Sequence, residues 1–177
     1  FGGAGADDRG AEQAAITGDD EFDESIGFVP DAGAVVLAGL GLDQDWGVPY
    51  GPFAEAWAHH RRTVGEAVEH DPFAAFSPLG GSAQEDRLRL FNAVEHSIER
   101  LSVRAPVCIV IENLHQADQS SLLLFHHLAR ATRTLPLLLI GTLREEEVRV
   151  GHMLHTLLGG LRRERLATRL DLPRLDV

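Results

Sequence analysis

VCIVIENLHQADQSS, Val107–Ser121, is the stretch whose reading decides the fold. Its first five residues are apolar without alternation, which is the pattern of a strand covered by helices on both faces of a parallel sheet. The run stops abruptly at Glu112 and Asn113. Asp118 then has the side chain of a helix N-cap, and DQSSLLLFHHLARATRT behind it reads as the helix it starts.

The same grammar extends outward in both directions. LPLLLIGT, Leu135–Thr142, is a second continuous apolar run, and AVVLAGL, Ala34–Leu40, is a third, stopped by Gly39 and Gly41. After a loop containing Pro49, Pro52 suits the first turn of a helix, where its missing N–H has no partner to lose, and that helix is expected over residues 52–70. Ser82 and Glu85 have capping-box spacing, and Leu88, Phe91, Val94, Ile98 and Leu101 recur every three or four positions along one face of the next helix. A helix over 150–163 and a short strand, ATRLDL, complete the alternation. Strands and helices in this order imply right-handed βαβ crossovers and an α/β fold, a three-layer parallel sheet flanked by helices.

Composition narrows the function classes. The formal net charge is −11, and all 16 basic residues are arginine, so there is no lysine. That balance argues against sequence-independent binding to nucleic acid, which depends on clustered cations. No apolar run approaches the roughly 20 residues of a membrane helix. A lone cysteine, Cys108 in an apolar run, permits no internal disulfide and suits a cytoplasmic location. Residues 1–33 are acidic and aperiodic and are expected to be poorly ordered, with the folded domain over 34–177. Opening on Phe1 and closing at Val177, the chain reads as part of something longer.

In an open parallel sheet, ligands gather at the carboxyl ends of the strands. This directs attention to Glu112, Asn113, Thr142 and Arg144. A carboxylate after a buried strand can hold magnesium through its water shell, and the following residue can orient the attacking water of a phosphoryl transfer.

At these residues the chain resembles the AAA-type P-loop ATPase domains of large LuxR-type transcriptional regulators and related bacterial signalling proteins. VCIVIENLHQADQSS is similar to their Walker B strand, in which two aspartates precede Leu-His, a variable residue and Ala-Asp. LDQDWGVPYGPFAEAW, EDRLRLFNAVEHSIERLS, LPLLLIGTLREEE and LLGGLRRERLATRLDL follow the family's order, so the likeness covers about residues 34–174. It implies ATP and magnesium as cofactors. It places Glu112 at the metal-binding aspartate, Asn113 at the catalytic acid, and Thr142 and Arg144 at the strand end that senses the terminal phosphate. Two of these positions depart from the pattern. Glu112 keeps the charge on a longer arm, and Asn113 cannot accept a proton, so hydrolysis should suffer more than binding.

The phosphate loop departs further, because its chemistry needs glycines, a lysine and a Ser or Thr. The nearest candidate is FGGAGADDRG, whose Gly2, Gly3 and Gly5 are followed by Asp7 and Asp8, carboxylates that would repel phosphate.

Other groups have plainer readings. His115, Asp118 and Ser120 are the residue types of a hydrolytic triad but lie on one short loop without a nucleophile elbow. His59–His60 and His126–His127 are adjacent on helices and so point about 100° apart. His152 and His155 could face the same way but lack a further ligand type. Arg162, Arg163 and Arg165 suit a solvated helix end, and Tyr50 and Phe53 are expected to fix their loop to the core.

The expectation is therefore an ATP-binding regulatory domain of a LuxR-type regulator, impaired in hydrolysis. Its partners would be nucleotide and either other domains of a larger regulator or a second copy. The alternatives are a pseudo-ATPase interaction domain and a truncated gene product without independent activity.

Overall fold

The computed structural model describes residues 33–42, 48–64, 71–74, 82–148 and 151–172. The glycine-rich FGGAGADDRG stretch, the rest of the acidic segment to residue 32, and the expected extension of the first helix over 65–70 lie outside the described residues.

The elements are β1 (Val35–Leu40), α1 (Gly51–Val64), α2 (Ala83–Ser102), β2 (Val107–Glu112), α3 (Gln119–Ala131), β3 (Leu137–Gly141), a 3₁₀ turn (Glu145–Glu147) and α4 (Met153–Arg163). The strands form a parallel sheet in the order β1-β2-β3, with Leu37 opposite Ile109 and Ile109 opposite Leu139. This is the expected α/β class, a parallel sheet with flanking helices.

One face of the sheet carries the core. Leu37, Val107, Ile109 and Ile111 are at most 1% exposed and pack with Phe53 and Trp57 of α1, Leu90 and Val94 of α2, and Leu122 and Leu128 of α3. Each such side chain contributes about 1.5–3 kcal/mol over leaving it in water. On the opposite face Val36, Cys108 and Val110 are half-buried, and Leu138 and Ile140 are 59% and 39% exposed. Among the described residues, then, the helices gather on one face of a sheet whose sequence reads as covered on both. Half-burial pushes the Cys108 thiol up from its ordinary pKa. β1 meets the start of α1 so closely that a Cβ on Gly39 would stand 1.9 Å from the Pro52 carbonyl oxygen, and only glycine fits there.

Helix starts follow the side chains that cap them. The Ser82 backbone N–H donates to Glu85 Oε2 at 2.8 Å, and the Glu85 N–H donates to Ser82 Oγ at 3.3 Å, completing the capping box. The buried face of α2 differs by one residue from expectation: Leu90 lies in the core, whereas Leu88 is 51% exposed. The rotation of the helix is set by its neighbours, and Leu90, Val94 and Ile98 at four-residue steps make the straighter stripe against β2 and α3.

α4 starts at Met153 rather than Val150, because His152 caps it: its Nδ1 accepts the Leu154 N–H at 3.1 Å. Leu154, Leu157 and Leu161 then close against α3. The Nε2 atoms of His126 and His127 lie 3.2 Å from Glu164 and 3.0 Å from Glu95. They are off the line of a good hydrogen bond, so each buried ring nitrogen lies beside a carboxylate without bonding to it, where α3 meets the end of α4 and α2.

The expected strand ATRLDL is irregular. No strand among the described residues pairs with it, and Leu170 and Leu172 are 79% and 74% exposed, so it has neither a ladder nor a buried face. No helix among the described residues is long and apolar enough to cross a membrane.

Candidate functional site

The carboxyl ends of the three strands are joined by backbone. The Thr142 N–H donates to the Ile111 carbonyl at 3.0 Å, and the Leu114 N–H donates back to the Thr142 carbonyl at 2.8 Å. The Asn113 N–H donates to Thr142 Oγ1 at 3.2 Å. From the other side the Gly41 N–H donates to the Glu112 carbonyl at 2.8 Å. A Cβ on Gly41 would stand 2.4 Å from the Asn113 carbonyl oxygen. Gly41, legible in the sequence only as a strand stop, is in fact the residue that lets β1 approach the β2 turn.

Glu112, Asn113 and Thr142 thus meet at one edge, and Arg144 follows two residues on. The half-buried Glu112 carboxylate has no hydrogen bond or ion pair among the described residues. Asn113 has φ +52°, a left-handed conformation that Asn and Asp tolerate better than other side chains. The turn geometry therefore selects the same two residue types that the chemistry does. The Arg144 guanidinium, 56% exposed, donates from Nη1 to Glu147 Oε1 at 3.1 Å.

The neighbouring residues are committed to structure. Asp118 Oδ1 accepts the N–H of Ser120 at 2.9 Å, of Ser121 at 3.0 Å and of Tyr50 at 3.4 Å, while its Oδ2 takes the Ser121 hydroxyl. Its carboxylate holds the start of α3 and the loop before α1. Tyr50, itself at φ +64°, packs its ring 6.3 Å from Phe91 and 6.4 Å from Phe73, and burial pushes its phenol pKa up. His115, Asp118 and Ser120 share no triad geometry, since the His115 ring turns instead to Glu147 at 2.8 Å. That contact spans 32 positions and is invisible to spacing arguments.

Two cavities form among the described residues, and neither is lined by Glu112, Asn113, Thr142 or Arg144. One of about 250 Å³, lined by Leu40, Leu42, Val48, Pro52, Glu55 and Asp118, is smaller than the roughly 300–1,000 Å³ of ordinary ligand pockets. The other, about 560 Å³, opens between Gln119 and Met153, but the two helix starts beside it already spend N–H groups on Asp118 and His152.

Among the described residues no group of three or more His, Cys, Asp or Glu side chains is placed to hold a metal. That excludes a dedicated cage within them and leaves the mode in which magnesium takes one or two carboxylates, waters and substrate phosphates. The Glu112 carboxylate, without a partner among the described residues, fits this mode; the described residues hold no glycine-rich loop to share it.

A family model described as an AAA ATPase domain matches residues 23–140, more than half of the chain. No curated protein and no solved structure gives a match.

Proposed function

The chain belongs to the AAA ATPase domain family, and from that premise we propose that it is the nucleotide-binding regulatory module of a LuxR-type transcriptional regulator, one that binds ATP with magnesium and hydrolyses it poorly. The observation that carries this reading is Glu112, half-buried at the carboxyl end of the central strand and without a side-chain partner among the described residues, next to Asn113, whose backbone N–H is held by Thr142.

The family generally binds ATP with magnesium, and that ion supplies charge neutralisation of the phosphates. Glu112 would hold it through water. Thr142 is tied to the Asn113 backbone at the strand end, and the Arg144 guanidinium, which contacts Glu147, would be a cation at this edge for a terminal phosphate. Asn113 can orient a water through its amide but cannot take its proton, so the general-base share of the rate, about 10²–10⁴-fold, is forfeited.

Partners under this reading are nucleotide and the remaining domains of a regulator, in the cytoplasm. Neither the chain's charge nor its arginine distribution calls for direct contact with DNA.

A pseudo-ATPase interaction domain is the second reading. It is favoured by the complete absence of lysine together with Asn113 in place of an acid. Calorimetric titration of the chain and of Glu112→Ala with ATP and magnesium separates the two. Saturable binding that the variant weakens supports the nucleotide module; no heat and no thermal shift at millimolar ATP leaves the interaction domain.

A further inference from the structure

His115 is held at the end of β2 with its side chain 2% exposed, and both of its ring nitrogens are used by the segment that follows β3. The Arg144 backbone N–H donates to Nδ1 at 3.4 Å, and Nε2 lies 2.8 Å from Glu147 Oε2. A backbone N–H can only donate, so Nδ1 is bare and the proton sits on Nε2, given to Glu147. Glu147 in turn uses its other oxygen, Oε1, to accept from the Arg144 guanidinium at 3.1 Å. One ring therefore fixes both the backbone of Arg144 and, through Glu147, its charge.

We propose that His115 is a positioning residue: as the Nε2–H tautomer it locks the Arg144–Glu147 turn onto the end of β2 and so sets where the Arg144 guanidinium is offered to a phosphate. The phosphate half of this proposal rests on the nucleotide reading above; the positioning half does not. An apolar ring would fill the same space without setting Arg144, which distinguishes positioning from packing. The arrangement also makes Glu147 the competitor that a phosphate must displace from Arg144. Glu147→Gln can still accept from His115 Nε2–H while its neutral amide attracts the guanidinium less, so the hold of Glu147 on Arg144 weakens. Removing the ring's polar atoms and removing the Glu147 charge should therefore move ligand affinity in opposite directions.

The test combines long-range ¹⁵N–¹H spectra of the His115 ring, amide exchange at Arg144, and calorimetry with magnesium-ATP on the full chain. The wild type should show the Nε2–H tautomer. His115→Phe should speed Arg144 amide exchange about threefold to tenfold, the worth of one net hydrogen bond, and His115→Asn, whose carbonyl oxygen stands near the Nδ1 position, should restore it. Dissociation constants should rise by a similar factor in His115→Phe and fall in Glu147→Gln. An Nδ1–H tautomer, unchanged Arg144 exchange in His115→Phe, or weaker binding in Glu147→Gln would each overturn the proposal. If the wild type binds no nucleotide, the functional reading and the phosphate half fall together, while the ring and exchange measurements still decide positioning. Should His115→Phe not fold, the wild-type tautomer and the half-exposed Glu147→Gln variant decide it.

Discussion

Replacing Asp118 by alanine tests whether this carboxylate is a structural cap rather than part of the chemistry beside it. The variant removes the acceptor for the Ser120 and Ser121 N–H groups, a loss of about 1 kcal/mol for an N-cap. It also strands the hydroxyl of Ser121, a residue with no exposure, at a further cost of about 1–3 kcal/mol. The longer bond from the Tyr50 N–H adds little. The expected loss is about 2–4 kcal/mol, a large share of the roughly 5–15 kcal/mol that holds a domain together. Urea unfolding followed by far-ultraviolet circular dichroism would read it as a lower midpoint at unchanged slope. Asp118→Asn, which keeps an acceptor oxygen and an N-cap side chain, should recover at least half. A loss below about 0.5 kcal/mol in Asp118→Ala would refute the capping argument, as would an asparagine variant no better than alanine.

Gly41→Ala forces a Cβ against the Asn113 carbonyl and should cost about 1–3 kcal/mol, the range of an overpacked site, seen as a fall in thermal midpoint. Asn113→Asp accepts the same left-handed backbone and restores a proton acceptor. If ATP binds, steady-state phosphate release should rise toward the about 10²–10⁴-fold that a placed base contributes, with the dissociation constant nearly unchanged. Arg169 holds the Glu145 carboxyl, and Arg144 the Glu147 carboxyl, below the usual carboxylate range. Their folded values lie below the unfolded one of about 4.3, so these contributions are present above that pH and fade as the pH falls through the folded values. Arg169→Gln should therefore flatten the acid limb of the stability profile, with the difference from wild type vanishing in strong acid and shrinking in high salt.

Features decided within a few residues were legible in the sequence. The Ser82–Glu85 box, the Asp118 cap and the apolar runs of β1, β2 and β3 depend on local hydrogen bonds and on which side chains resist water, and both are encoded in the immediate neighbours. The parallel α/β order followed from their alternation, and the positions of Glu112, Asn113, Thr142 and Arg144 at strand ends followed from that order. What required the folded chain was every feature that depends on rotation, register or partners far along the sequence. Leu88 has the spacing of a core residue, yet the packing of α2 turns Leu90 inward instead. ATRLDL has a strand's pattern and finds no ladder, because a strand exists only where another offers its backbone groups. The hold of Thr142 on Asn113, the need for glycine at position 41, and the His115–Glu147–Arg144 chain join segments about 30 to 70 positions apart in sequence. Contacts of that span are created by strand register and helix packing acting together, so residue types and local spacing determine which groups are available, and only the tertiary structure decides which of them meet.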